Sequence, residues 1–214
     1  MKLLACPKCH QQLHLENKTL KCENNHCYDI SKRGYINLLL NPDKATNNPG
    51  DSKESLVARK AYLNKGYYDP ILDQVITCID EFKHQDDLSI LDLGCGEGYY
   101  TQGLKKHFEN SDIYGLDISK IAIDMATRYR KDVTWLVGNS KNIPILDHSL
   151  DFICALFTVV NQDELKRALK EDGYIVHVTA NNQHLIEIKE LIYDEIKVKL
   201  NNQVIGQNEA IEQI

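Results

Sequence analysis

Apolar positions along the chain follow two regimes that meet near residue 85. From residue 89 onward, short apolar runs alternate with stretches of helical spacing. The runs predict strands at 89–93, 112–116, 133–137, 151–156 and 174–179. The stretches between and after them predict helices at 99–107, 120–129, 162–169 and 183–200. Ala122, Met125, Ala126 and Tyr129 share one helical face, as do Leu185, Ile188, Leu191 and Ile192. Such alternation predicts an α/β fold, a parallel sheet with helices on both faces. Residues 1–37 lack helical periodicity, and the short stretches Leu13-His-Leu15 and Thr19-Leu-Lys21 predict small hairpins. The polar run at 41–51, rich in Asn, Pro and Gly, reads as a linker. Asp51 and Glu54 read as a capping box opening a helix to about 64. A second helix at about 69–83 would bury Ile71, Leu72, Val75, Ile76 and Ile79. The resulting division is a module at 1–37, a linker and helical segment at 38–85, and an α/β domain at 86–214.

Composition changes this picture little. The 214 residues allow one sizeable core and a small module, and 43% apolar with 26% charged residues is ordinary for a folded domain. No apolar run approaches the roughly 20 residues of a membrane span. The start, Met1-Lys-Leu-Leu-Ala-Cys-Pro, is too short and too quickly polar for a secretory leader, so a cytoplasmic protein without membrane contact is expected. A net charge of −6 weighs against a broad nucleic-acid surface while leaving room for a local basic patch. Lys32, Arg33, Lys44, Lys53, Arg59, Lys60 and Lys65 enrich the first third in cations.

Cysteine usage changes it more. Of seven cysteines, Cys78, Cys95 and Cys154 fall in a predicted helix, loop and buried strand, and the other four lie within the first 27 residues. That distribution suits a metal site in a reducing compartment better than disulfides. Cys6-Pro-Lys-Cys9 and Cys22-Glu-Asn-Asn-His26 form two pairs separated by a hairpin-length segment. Thiolate and imidazole suit tetrahedral zinc, and four protein ligands close a structural site. Such a zinc-ribbon module, under 40 residues, needs the metal to fold. Cys27 competes with His26 for the fourth place, while His10 and His14 read as hairpin surface. A redox role for Cys6 and Cys9 is the alternative, and no βαβ context follows them.

The strand at 89–93 runs directly into Gly94-Cys-Gly96-Glu-Gly98, with a helix behind. In parallel sheets ligands lie at the carboxyl ends of strands, where glycines let the backbone approach them. Asp117 closes the next strand, where a carboxylate can accept hydrogen bonds from both ribose hydroxyls. The third glycine falls one position early for a dinucleotide loop. Asp92-Leu-Gly-Cys-Gly-Glu-Gly98 instead resembles motif I of class I methyltransferases, whose cofactor is S-adenosyl-L-methionine. The resemblance implies cofactor contacts from Asp92, Gly94, Gly96, Glu97, Gly98 and Asp117, with Ile118 on the adenine face. Asn139, in Gly138-Asn139-Ser140, is either an adenine contact, as in similar methyltransferases, or part of a polar turn.

A zinc ribbon joined to this core resembles the guanine-N1 methyltransferases of large-subunit (23S) ribosomal RNA. The resemblance rests on Cys6 to Cys9, Cys22 to His26, Gly34-Tyr-Ile-Asn-Leu-Leu39, Pro49-Gly-Asp-Ser52, Asp92 to Tyr100, Gly115-Leu-Asp-Ile-Ser119 and His184-Leu. It implies ribosomal RNA as partner, a hairpin near the peptide exit tunnel as target, and macrolide resistance in some members. It also implies His26 as the fourth zinc ligand and cofactor contacts from Tyr68 and His184. Lys32 and Arg33 on the ribbon would grip the RNA. The family's aromatic-small-Pro segment at the base pocket reads Leu156-Phe-Thr-Val-Val-Asn161 here, keeping the aromatic as Phe157 without the proline. Class I methyltransferases close with two further strands, and none is read before Ile214. The C-terminal strands are therefore expected to be missing, which would expose the strand at 174–179 as an edge; either the domain is incomplete, or a partner such as a second copy covers that edge. No residue stands out as a general base. A small-molecule methyltransferase with the ribbon as a cap, or a non-catalytic cofactor-binding protein, are the alternatives.

Overall fold

The computed structural model describes residues 1–40, 50–128 and 130–180. Most of the predicted linker, Tyr129, and the predicted helix at 183–200 with His184 lie outside them.

Five apolar runs pair as parallel strands because each is flanked by a crossover long enough to reverse direction. They are β5 (Ser89–Leu93), β6 (Asp112–Asp117), β7 (Thr134–Val137), β8 (Leu150–Leu156) and β9 (Leu169–Val178). With β4 (Ile36–Asn37) they form a six-stranded sheet in the order β4-β7-β6-β5-β8-β9, all neighbours parallel. The chain leaves β5 toward β6 and β7, then crosses back to β8 on the other side. That reversal opens a crevice at the carboxyl end of β5.

The period-two alternation sorts side chains to two buried faces. Ile90, Ile113, Trp135, Phe152 and Cys154 face α2 (Asp69–Phe82), α3 (Tyr99–His107) and α4 (Lys120–Ala126). These helices cover that face with Val75 and Ile79, Leu104, and Ile123. Leu91, Leu93, Tyr114, Leu116, Leu136 and Ile153 face the other way. That side is covered by α5 (Gln162–Ala168), through Leu165 and Ala168, and by the N-terminal ribbon.

The ribbon is an antiparallel sheet of β1 (His14–Glu16), β2 (Thr19–Lys21) and β3 (Cys27–Asp29). Its Leu4, Leu13 and Leu20 join the same buried cluster as Leu91 and Leu93. Backbone bonds tie it down: Ala5 N–H donates to Pro144 O at 3.0 Å, and Leu146 N–H to Leu3 O at 2.9 Å. The Asn142 amide adds a bond to Pro7 O at 2.9 Å.

Some local details differ from expectation. The helix α1 (Lys53–Leu63) is capped by Ser52, whose Oγ accepts from Ser55 N–H at 3.1 Å; Asp51 instead pairs with Arg59. α4 ends at Ala126, and β9 begins at Leu169, directly after α5. No helix among the described residues is long and apolar enough to cross a membrane.

Candidate functional site

The glycine loop forms because β5 must end abruptly over β6. Gly94, Gly96 and Gly98 sit at φ +75°, +56° and +86°, and a side chain at Gly98 would meet the Trp135 ring at 2.6 Å. Gly94 and Cys95 both donate N–H bonds to Leu116 O, at 2.8 and 3.1 Å. Asp117 ties loop to strand: Oδ2 accepts from Gly96 N–H at 2.9 Å, and Oδ1 from Ser119 N–H at 2.7 Å. Asp92 is 1% exposed and accepts a 2.5 Å bond from the Thr101 hydroxyl. Glu97 is 3% exposed, and its Oε1 is buried with no partner among the described residues.

Three carboxyls thus converge at the carboxyl ends of β5 and β6, and burial disfavours the charge on each. Desolvation pushes Asp92 up to about 7, the Thr101 bond opposing and the Asp117 and Glu97 charges adding to the rise. Asp117 is raised by burial against its two backbone bonds. Glu97 is raised by burial, with Arg59 and Lys60 among the opposing influences. An anionic pyrophosphate would deepen this penalty, whereas a ligand carrying an ammonium and a sulfonium relieves it. The residues therefore fit the cationic groups of S-adenosyl-L-methionine.

One prediction follows from Asp92 alone. The folded chain holds a proton there that the unfolded chain releases near pH 4. The associated stability is full below about pH 4 and is lost as pH rises to about 7, by roughly 4 kcal/mol. Asp92→Asn removes that dependence and keeps an acceptor for Thr101. Its melting temperature should gain on the parent protein steadily from pH 5 to pH 8 in differential scanning fluorimetry. A pH-independent difference would show Asp92 ionised throughout.

Around the loop, Tyr68 caps α2 and is half-buried, its ring 6.0 Å from both Tyr62 and Phe157. Phe157 follows β8 in the left-handed region, at φ +56° and 42% exposed. Ile118 is half-buried beside Asp117. The Asn139 side-chain oxygen accepts from Lys141 N–H at 3.0 Å, so it shapes the polar turn after β7. Three neighbours were not readable beforehand: Thr101 beneath Asp92, Thr158 packed against Gly94, and Arg59 facing Gly96. Each reaches the loop through tertiary packing, and nothing in its local spacing sets it apart.

In the ribbon, the ligand atoms of Cys6, Cys9, Cys22 and His26 all lie within 4.8 Å of one another. The three sulfurs are 3.4, 3.5 and 3.5 Å from His26 Nδ1, and Cys9 and Cys22 are 3.6 Å apart. A zinc tetrahedron has S···N edges of about 3.5 Å and S···S edges of about 3.7 Å, from bonds of about 2.3 and 2.05 Å. Two turns, differing by one residue in length, build it. Cys6 N–H bonds Gln11 O and His10 N–H bonds Cys6 O, while Cys22 N–H bonds His26 O and Asn25 N–H bonds Cys22 O. His10, just after Cys9, and Asn25, just before His26, take the left-handed conformation. Cys27 is exposed and turns its Sγ to Asn25 O, away from the cluster.

Comparison with known proteins agrees with both halves. The zinc-ribbon family described as RlmA, N-terminal matches residues 4–45, and the Methyltransferase domain family matches 90–173. YxjB of Bacillus subtilis (strain 168), a candidate 23S rRNA (guanine-N1) methyltransferase, is 30% identical over 90% of this chain and 70% of its own length. The 23S rRNA (guanine(748)-N1)-methyltransferase of Streptomyces fradiae is 28% identical over all of this chain and 78% of its own. Among solved structures, a candidate S-adenosyl-L-methionine-dependent methyltransferase of Methanococcus maripaludis shares the fold. It aligns with a TM-score of 0.52 and 22% identity over 79% of this chain and 84% of its own. The cofactor of this fold is S-adenosyl-L-methionine, and the metal of the ribbon is structural zinc. The chain belongs to the family of 23S rRNA (guanine-N1) methyltransferases.

Proposed function

We propose that this chain moves a methyl group from S-adenosyl-L-methionine to N1 of a guanine in a large-subunit ribosomal RNA hairpin. The observation that carries the reading is a cation-seeking glycine loop and a tetrahedral Cys/His cluster built onto one sheet. Asp117 would take the ribose hydroxyls. Asp92, Glu97 and the backbone of Gly94, Gly96 and Gly98 would surround the amino-acid end. Ile118 and Asn139 would meet the adenine, and Tyr68 the sulfonium side. His184 keeps its place in this assignment by resemblance alone. Cys6, Cys9, Cys22 and His26 would hold the zinc, and four protein ligands leave it no open position for chemistry.

When bound, the cofactor supplies an electrophilic sulfonium methyl for in-line displacement. The protein's part is alignment and exclusion of water. Guanine N1 carries a proton near neutral pH, and no described side chain is assigned to accept it. The target base must leave its stack to be reached. Phe157 presents a ring beside Tyr68 where such a base would lodge. Phe157→Ala should lower RNA methylation by about 10- to 100-fold, since base stacking is worth roughly 1–3 kcal/mol. Calorimetric cofactor affinity should not change; loss of both together would make Phe157 a structural residue.

The decisive experiment is tritium transfer from labelled cofactor to unmodified large-subunit RNA, with mapping of the modified base. Incorporation at a guanine N1 is expected. No incorporation into RNA would remove this reading and leave a small-molecule acceptor or a non-catalytic cofactor-binding protein.

A further inference from the structure

We propose that a basic cleft at the junction of ribbon and sheet is a seat for the phosphodiester backbone of the substrate RNA. This rests on the reading of RNA as substrate. The cleft has a volume of about 410 Å³ and lies between the ribbon's end and the amino-terminal start of β7. The strands are parallel, so this is the opposite end of the sheet from the acids that face the methyl donor. Five of its ten lining residues are cationic (Lys18, Lys32, Arg33, Arg130 and Lys131), and none is acidic. In a chain of net charge −6, such a cluster of cations attracts an anionic polymer to this cleft.

The walls are held in place. Residues 31–35 form a turn in which Ser31 N–H bonds Tyr35 O, Gly34 N–H bonds Ser31 O, and Ser31 Oγ accepts from Tyr35 N–H. Arg33 in that turn is anchored to Asp124 of α4 at 2.8 Å. Across the cleft, Trp135 Nε1 donates to Arg130 O at 2.8 Å, fixing the loop before β7. The Arg130 guanidinium is held by both oxygens of Asp132, at 2.9 and 2.7 Å. Lys18, Lys32 and Lys131 have no ion pair among the described residues, so their charge is available to a ligand. Trp135 is 1% exposed and offers no free ring to a nucleobase. The cleft is therefore suited to backbone charge and not to base identity, positioning the RNA without reading its sequence. Its cations come from two parts of the fold, the ribbon and the loop before β7, which a continuous strand can bridge.

The test is the triple variant Lys18→Gln/Lys32→Gln/Lys131→Gln. Affinity for an unmodified large-subunit RNA fragment is measured against salt concentration for parent and variant. Three lost phosphate contacts should flatten the log–log slope by about 2, at roughly 0.7 per contact on single strands. Calorimetric S-adenosyl-L-methionine affinity and zinc content should match the parent, showing an intact fold. A parent that binds RNA with clear salt dependence, and a variant with the same slope, would overturn the cleft assignment alone. A parent without salt-dependent RNA binding would overturn the RNA reading as well.

Discussion

Asp117→Ala should lose cofactor binding by 10²- to 10⁴-fold in titration calorimetry. Two hydrogen bonds from ribose hydroxyls to a charged acceptor are each worth about 1.5–3 kcal/mol. The same substitution frees Gly96 N–H and Ser119 N–H, so the loop loosens as its ligand contact disappears. Two glycine variants separate those effects. A methyl group at Gly96 meets only the Arg59 guanidinium, at 3.9 Å, so Gly96→Ala should weaken cofactor binding at a modest cost in stability. A methyl group at Gly98 meets Trp135 at 2.6 Å and should lower the melting temperature with or without cofactor. Unchanged affinity in Asp117→Ala would sink the proposed site.

Removing the metal should have a larger effect, on the whole fold. Structural zinc contributes about 10–16 kcal/mol to folding of small metal modules at neutral pH. Leu4, Leu13 and Leu20 share one buried cluster with Leu91 and Leu93, so loss of the ribbon uncovers a face of the central sheet. Chelation, or Cys22→Ser, should therefore shift the main thermal transition downward and expose dye-binding apolar surface. An early, separate transition that leaves the main one in place would show that the ribbon is energetically independent. Cys27→Ser should retain one zinc per chain by atomic absorption, whereas His26→Ala should not. The reverse result would assign the fourth ligand to Cys27.

The central strands were legible because each is buried on both faces and bounded by helix signals. β5 and α3 match their predicted limits residue for residue. β4 was not legible: two residues cannot display a period, and only its pairing with β7 makes Ile36–Asn37 a strand. Asp51 and Ser52 are adjacent cap formers, and sequence alone does not choose between them. The choice of Ser52 leaves Asp51 paired with Arg59. The Cys/His pairs could be read from spacing, but Cys27 against His26 is a question of distance that only folding answers. The convergence of three acids was half visible, since Asp92 and Asp117 lie 25 positions apart. The docking of the ribbon was invisible, because its partners are scattered from Leu91 to Ala168 and share no local pattern with it.

The ribbon is made first and buried last. Leu3, Ala5 and Pro7 bond to residues 142–146, and the apolar cluster they enter also needs Leu165 and Ala168. As the chain is synthesised, Leu4 and Leu13 must wait for most of it to emerge before they find cover. Contacts this distant are slow to form. The Cys/His turns need only residues 6–26, so metal capture can come before any strand of the main sheet exists. A metal-loaded ribbon would then dock as a preformed lid on a face that closes late. Refolding with and without zinc should share its early phases and separate in its final one.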